Sequence, residues 1–149
     1  MALEQQIQKD IVEAMKAKDQ TRLNTVRSIK SAILLAKTAE GGSKELQDGD
    51  IFKIIQKLVK QHKETAEQFI AAGRQDAADK EMAEASILDA YLPKQLSAKE
   101  IEQKLKEIIS SVGATGIADM GKVMGVATKM MAGLADGKAI SAAVRKLLS

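Results

Sequence analysis

The spacing of the apolar residues constrains the fold most, because it follows the period of an α-helix along nearly the whole chain. The first segment, from about residue 3 to residue 18, has an apolar residue at every fourth position: Leu3, Ile7, Ile11 and Met15. Side chains at this spacing lie on one face of a helix and can pack together against a neighbour. Similar stripes continue to the C-terminus and predict about seven helices and no strand. Among the later residues expected to face a core are Leu34, Ile70 and Met82.

The composition favours the same conclusion. Alanine occurs 23 times, whereas the only aromatic residues are Phe52, Phe69 and Tyr91. Alanine is the best helix former, and aromatic residues are enriched in strands. We therefore predict an all-α fold.

The single proline, Pro93, divides the predicted helices into two groups. Proline disfavours helical geometry in the residue before it, so a helix is expected to end there. We predict an N-terminal subdomain over 1–93 with four helices and a C-terminal subdomain over 94–149 with three. Gly41-Gly42, Gly73 and Gly113 are expected to end helices, because glycine adopts the left-handed conformation without steric cost. The predicted N-terminal caps are Asp19, Asp76, the pair Ser97 and Glu100, Asp119 and Asp136.

Residues that are scarce or missing exclude several classes of protein. The chain has no cysteine, so it has no disulfide, no thiolate nucleophile and no cysteine-bound metal. His62 is the only histidine, which rules out a multi-histidine metal site within one chain. We expect no metal and no cofactor. No apolar run approaches the roughly 18 residues of a membrane span, and the polar start is unlike a secretory signal. The expectation is a cytoplasmic protein that does not bind membranes.

Charge is distributed unevenly between the two predicted subdomains. Residues 1–93 have 14 basic and 15 acidic residues, whereas residues 94–149 have nine basic and five acidic residues, a net charge of +4. A basic domain favours contact with a polyanion such as RNA. Six of the ten glycines also lie between Gly113 and Gly137, where backbone N–H groups can meet phosphate.

These observations define a candidate nucleic-acid interface in the C-terminal subdomain. Gly121 and Gly125 lie four apart and leave a bare groove on one helix face, which either packs closely against another helix or admits a partner's backbone. Lysines seven apart share a face, and they are either simply solvated or neutralise phosphates. The methionines of this region are either core filler or an adaptable partner groove. The candidate residues are Gly121, Lys122, Gly125, Lys129, Gly137, Lys138 and Arg145.

No set of residues indicates a catalytic site. His62 lies on a lysine-rich segment, where a solvated or hydrogen-bonded role is expected. Glu81 and Glu84 can share a helix face, and without a histidine beside them we expect salt bridges to Lys80 or to a neighbouring helix.

Four motifs resemble the YqeY group of the GatB/YqeY family over essentially the whole chain. They are AGRQD at 72–76, YLPKQL at 91–96, ADMGKVMG at 118–125 and ADGK at 135–138. The resemblance implies an all-helical fold with two subdomains. It also implies kinship with the C-terminal, tRNA-contacting region of the B subunit of glutamine-dependent aspartyl/glutamyl-tRNA amidotransferase.

The resemblance leads to three functional hypotheses. The first is a non-catalytic module that binds tRNA or associates with a tRNA amidotransferase or an aminoacyl-tRNA synthetase. The second is a carbon–nitrogen ligase with glutamine as amide donor, which the absence of a cysteine nucleophile and a nucleotide loop disfavours for the isolated chain. The third is a protein–protein adaptor. For the first, the helix around Gly121–Gly125 and the turn near Asp136–Lys138 are the elements expected to face tRNA.

Overall fold

The protein is described here by a computed structural model that covers residues 2–39 and 45–149. The described residues form seven α-helices and no strand, which confirms the predicted all-α fold. The helices are α1 (Ala2–Lys16), α2 (Gln20–Thr38), α3 (Asp48–Ala71), α4 (Gln75–Asp89), α5 (Ala98–Val112), α6 (Met120–Met130) and α7 (Gly137–Leu148). A short 3-10 turn, Ile117–Asp119, precedes α6. The predicted stop at Gly41-Gly42 lies outside the described residues.

The chain forms two compact units, Met1–Leu92 and Pro93–Ser149. Helices α1 to α4 belong to the first unit, and α5 to α7 belong to the second. Each unit has its own cluster of buried apolar residues. Within the described ranges, no helix combines the length and apolar character that crossing a membrane requires.

The first unit is built around the hairpin of α3 and α4, the most extensively packed pair of helices. Small residues line this contact, since Ala66, Ala78 and Ala85 are each 1% exposed. Alanine side chains let two helix backbones approach closely. The turn between them contains Gly73 with φ +74°, the left-handed conformation that glycine adopts without strain. The α3–α4 hairpin is therefore a closely packed platform for the side chains along it.

The second unit is a three-helix bundle with a closed core. Leu105, Val123, Ala127 and Val144 are completely buried, so every one of its helices contributes to the centre. Burial of each side chain of the size of valine or leucine contributes roughly 1.5–3 kcal/mol. The outer faces of α6 and α7 are consequently free to carry polar and charged side chains.

Four residues that the apolar pattern assigns to the core lie on the surface instead. Their exposed fractions are 52% for Met15, 62% for Leu34, 54% for Ile70 and 42% for Met82. In each of the four helices α1 to α4, the face that packs against the core differs slightly from the face on which the apolar residues are most concentrated. In α1, for example, Ala14 is buried whereas the adjacent Met15 is exposed, because the small side chain of alanine permits a closer helix contact.

Three of the predicted helix caps are confirmed. Asp19 accepts a hydrogen bond from the Arg22 N–H at 3.1 Å, and Asp136 accepts one from the Lys138 N–H at 3.4 Å. Ser97 and Glu100 form the reciprocal capping box.

Of the other two predicted caps, one is wrong and one is correct in position only. Asp76 lies inside the first turn of α4, whose N-cap is Arg74. Asp119 is the N-cap residue of α6, as predicted, but its side chain makes no cap hydrogen bond to the helix, because its carboxylate accepts the Thr115 N–H instead.

Candidate nucleic-acid interface

The start of α6 is held by a compact turn. The Asp119 carboxylate accepts a hydrogen bond from the Thr115 backbone N–H at 2.9 Å, and the Asp119 N–H donates to the Gly116 carbonyl at 2.9 Å. The hydrogen bond from Thr115 lowers the pKa of Asp119, and the nearby charge of Lys122 lowers it further. Asp119 therefore stays ionised and fixes the turn from which α6 begins.

Four of the candidate residues share the outer face of α6. Gly121, Lys122, Gly125 and Lys129 are all exposed. Helical periodicity places them within one sector, opposite the buried Val123 and Ala127. The structure thus brings two lysines and two glycines together on one accessible surface, which we call the α6 face.

The two glycines do not serve close helix packing. A Cβ atom added at Gly121 or at Gly125 would meet no heavy atom within 4 Å in the described part of the chain. The alternative of a close helix contact at this groove is therefore wrong. The two positions leave bare helix surface open to the surroundings. The other alternative, in which a partner's backbone enters the groove, stays a prediction.

A fixed loop presents the remaining candidate residues on α7. The Leu96 N–H donates to the Leu134 carbonyl at 2.8 Å, and the Gln95 side-chain amide donates to the Gly133 carbonyl at 2.7 Å. Exposed Gly137 follows as the first residue of α7. Lys138 and Arg145 are exposed and lie seven residues apart, so they share a face of this helix.

Chemically, these surfaces can bind anions. The exposed lysine and arginine side chains are free to approach phosphates. Residues 93–149 include no Phe, Tyr or Trp, so the second unit has no aromatic platform for stacking single-stranded bases. The arrangement suits contact with the backbone of folded RNA better than base recognition.

The methionines of this unit divide between core and surface. Met131 is completely buried, and Met120 and Met124 are partly buried against the core, which fits their role as core filler. Met130 is 60% exposed, and it lies outside the cluster.

A second polar cluster lies in the first unit, and the sequence interpretation missed it. His62 on α3 is 2.6 Å from Glu81 Oε2 and 3.3 Å from Glu84 Oε2, both on α4. The expectation that no histidine lies beside Glu81 and Glu84 is wrong. Of the two expected pairings, the one with a neighbouring helix is found, with His62 of α3 as the partner, and no salt bridge to Lys80 forms among the described residues. His62 and Glu84 are equally distant along the chain from Gly73, so folding α3 and α4 about this turn brings them together. The equal distance of these two residues from the turn was the sequence signal that could have predicted their contact.

Comparison with known protein families tests the family resemblance that the four sequence motifs indicate. The family model described as Yqey-like protein matches residues 4–148. The chain belongs to the Yqey-like protein family. The family match covers both units and all seven helices that the structure describes, so the motifs in residues 72–138 belong to one continuous relationship.

Fungal proteins are among the curated relatives of this Yqey-like chain. "Altered inheritance of mitochondria protein 41, mitochondrial" of Meyerozyma guilliermondii is 32% identical over 123 residues, which are 80% of this chain and 64% of the relative. The protein of the same name from Pyrenophora tritici-repentis is 29% identical over 147 residues, 95% of this chain and 78% of the relative. The chain thus spans about two thirds to three quarters of these relatives. Because they are named as mitochondrial proteins, the expectation of a cytoplasmic protein is contradicted.

Proposed function

We propose that the chain is a non-catalytic module that binds tRNA through the α6 face and the exposed basic residues of α7. The single observation that carries the proposal is the open backbone at Gly121 and Gly125 beside Lys122 and Lys129. Helix backbone that no side chain covers, with lysines beside it, allows the phosphate backbone of RNA to approach closely. A helix face that is only solvated does not require two glycines four residues apart.

The charge distribution supports the same partner. Residues 94–149 have a net charge of +4, whereas the preceding 93 residues have a net charge of −1. Among the described residues, Lys122, Lys129, Lys138 and Arg145 form no salt bridge, so their charges are available to an external anion. Each phosphate that they neutralise releases condensed counterions, which favours binding at low salt.

The resemblance to the tRNA-contacting region of the amidotransferase B subunit makes tRNA the RNA to test first. For the same reason, a tRNA amidotransferase and an aminoacyl-tRNA synthetase are the partner enzymes to test. Affinity capture with and without nuclease separates direct protein contacts from contacts bridged by RNA. We expect such enzymes to be lost from the captured material after nuclease treatment.

The test of the proposal is a binding titration of labelled tRNA. The variant Lys122→Ala/Lys129→Ala/Lys138→Ala removes three charges from the proposed surface. The matched control Lys94→Ala/Lys99→Ala/Lys104→Ala removes three exposed charges elsewhere in the same unit. We expect the first variant to bind at least about tenfold more weakly and the control to change affinity by less than about threefold. Equal losses in both variants, or no binding by the unmodified chain, would contradict the proposal.

A further inference from the structure

We propose that His62, Glu81 and Glu84 form a binding site for a divalent transition-metal ion such as Zn²⁺. The potential ligand atoms are His62 Nδ1 and one carboxylate oxygen from each glutamate. These atoms all lie within 4.8 Å of one another. The site belongs to the first unit alone and is independent of the RNA-binding proposal.

The distances fit a metal ion with a small adjustment. Zinc binds histidine nitrogen and carboxylate oxygen at about 2.0–2.2 Å, so neighbouring ligand atoms of a tetrahedral site lie about 3.4 Å apart. The separation between His62 Nδ1 and Glu84 Oε2 is already 3.3 Å. The separation between His62 Nδ1 and Glu81 Oε2 is 2.6 Å and must widen by roughly 0.8 Å, which a glutamate torsion accommodates.

The charge around the cluster favours a cation. Two carboxylates share one imidazole, which carries at most a single positive charge. Within the described residues, no lysine or arginine lies within 4.0 Å of either carboxylate. The nearby Lys63 pairs instead with Asp89, at 4.0 Å. A divalent ion would neutralise both glutamates at once.

The platform under the cluster is suited to holding three ligands in place. Glu81 and Glu84 are three residues apart on α4, which places them on one face, and His62 lies opposite on the closely packed α3. The three side chains are between 17% and 21% exposed, so they are shielded and still reachable by an ion. Water can complete the coordination from the exposed side, as in zinc sites with three protein ligands.

The ligand types indicate the class of metal. Imidazole nitrogen suits zinc, iron, copper and nickel, whereas magnesium and calcium prefer sites made only of oxygen. One histidine with two carboxylates therefore selects a first-row transition ion. This inference departs from the sequence-based expectation of no metal site, which rested on the count of histidines and cysteines.

The experiment titrates ZnCl₂ into the full chain after treatment with a chelator. Because His62 is the only histidine, the ¹⁵N resonances of one imidazole report directly on coordination. We expect binding of one Zn²⁺ per chain by calorimetry and a shift of the Nδ1 resonance. The variant Glu81→Gln/Glu84→Gln should bind at least about 100-fold more weakly, because the neutral amides are poor zinc ligands. The control Glu64→Gln/Glu67→Gln changes the same charge at exposed positions of α3 and should bind like the unmodified chain.

Two results would overturn the proposal. One is an Nδ1 resonance that does not move although Zn²⁺ is present in excess. The other is equal zinc affinity in the Glu81→Gln/Glu84→Gln variant, the control variant and the unmodified chain. Circular dichroism shows whether each variant is folded, and if the first variant unfolds, the imidazole resonance of the unmodified chain decides the matter.

Discussion

The hydroxyl of Tyr91 donates a hydrogen bond to the carboxylate of Asp10, although the two residues are 81 positions apart in the chain. Asp10 is only 6% exposed, and its other oxygen accepts a hydrogen bond from Gln6 at 2.9 Å. Arg22 lies 3.7 Å from the same carboxylate. A buried charge is stable only when its hydrogen bonds are satisfied. The hydrogen bond between Tyr91 and Asp10 therefore links α1 to the C-terminal end of the first unit.

Removing the hydroxyl should therefore destabilise the first unit. We expect Tyr91→Phe to lower the free energy of unfolding by about 1–3 kcal/mol, because it leaves a buried carboxylate without one partner. Urea denaturation measures the change. The control is Gln20→Ala, which removes an exposed hydrogen bond to Asn24 and should cost less than about 0.5 kcal/mol. An unchanged urea midpoint for Tyr91→Phe would show that the contact contributes nothing.

The same contact predicts an unusual titration of the phenol. Burial, followed by the hydrogen bond to Asp10, raises the pKa of Tyr91 well above its ordinary value of 10.0. The folded state holds the phenol proton more tightly, so the resulting stability is complete below pH 10 and is lost as the pH rises further. Tyr91 is the only tyrosine and the chain has no tryptophan, so ultraviolet absorbance follows this one group. We expect phenolate to form at a higher pH in the native chain than in urea, and coincident curves would contradict the geometry.

Two glycines in the second unit should respond oppositely to alanine. Gly125 lies within α6 and faces open space, so Gly125→Ala should stabilise the unit by about 0.5–1 kcal/mol. Gly113 ends α5 with φ 70°, so Gly113→Ala should destabilise it by about 1–2 kcal/mol. Thermal unfolding of both variants checks the pair. A destabilising Gly125→Ala would mean that the groove is occupied by the chain itself.

Larger side chains at the two glycines of the α6 face would block close approach of RNA without changing the charge of that face. Gly121→Leu/Gly125→Leu leaves the net charge unchanged, and the Cβ atom at each position meets no heavy atom of the described chain within 4 Å. If an RNA backbone lies on the α6 face, we expect tRNA affinity to fall by roughly tenfold, as for the loss of one or two phosphate contacts. Circular dichroism controls for folding. Unchanged affinity in the folded variant would place the RNA elsewhere.

Local signals predicted much of the fold. The reciprocal pair of Ser97 and Glu100, and the left-handed Gly113, depend only on residues close in sequence, and both are found as expected. Burial was less predictable, because Leu34 and Met15 belong to apolar stripes wider than the surface each helix buries. The cluster of His62 with Glu81 and Glu84 was missed for a related reason, since it depends on which faces of α3 and α4 meet.

The candidate interface was predictable only as a set of residues. The sequence could place Gly121 and Gly125 on one helix face, but it could not say whether another helix covers that face. That depends on how α6 packs, and in the described residues nothing fills the space beside either glycine.

The salt dependence of tRNA binding tests the central claim most directly. Affinity is measured over a range of salt concentrations for the unmodified chain and for Lys122→Ala/Lys129→Ala/Lys138→Ala. Each phosphate contact contributes about one unit to the slope of log affinity against log salt concentration. We expect the slope of the variant to be smaller in magnitude by about two to three units. Identical slopes for the two proteins would show that these lysines do not contact phosphate and would contradict the account.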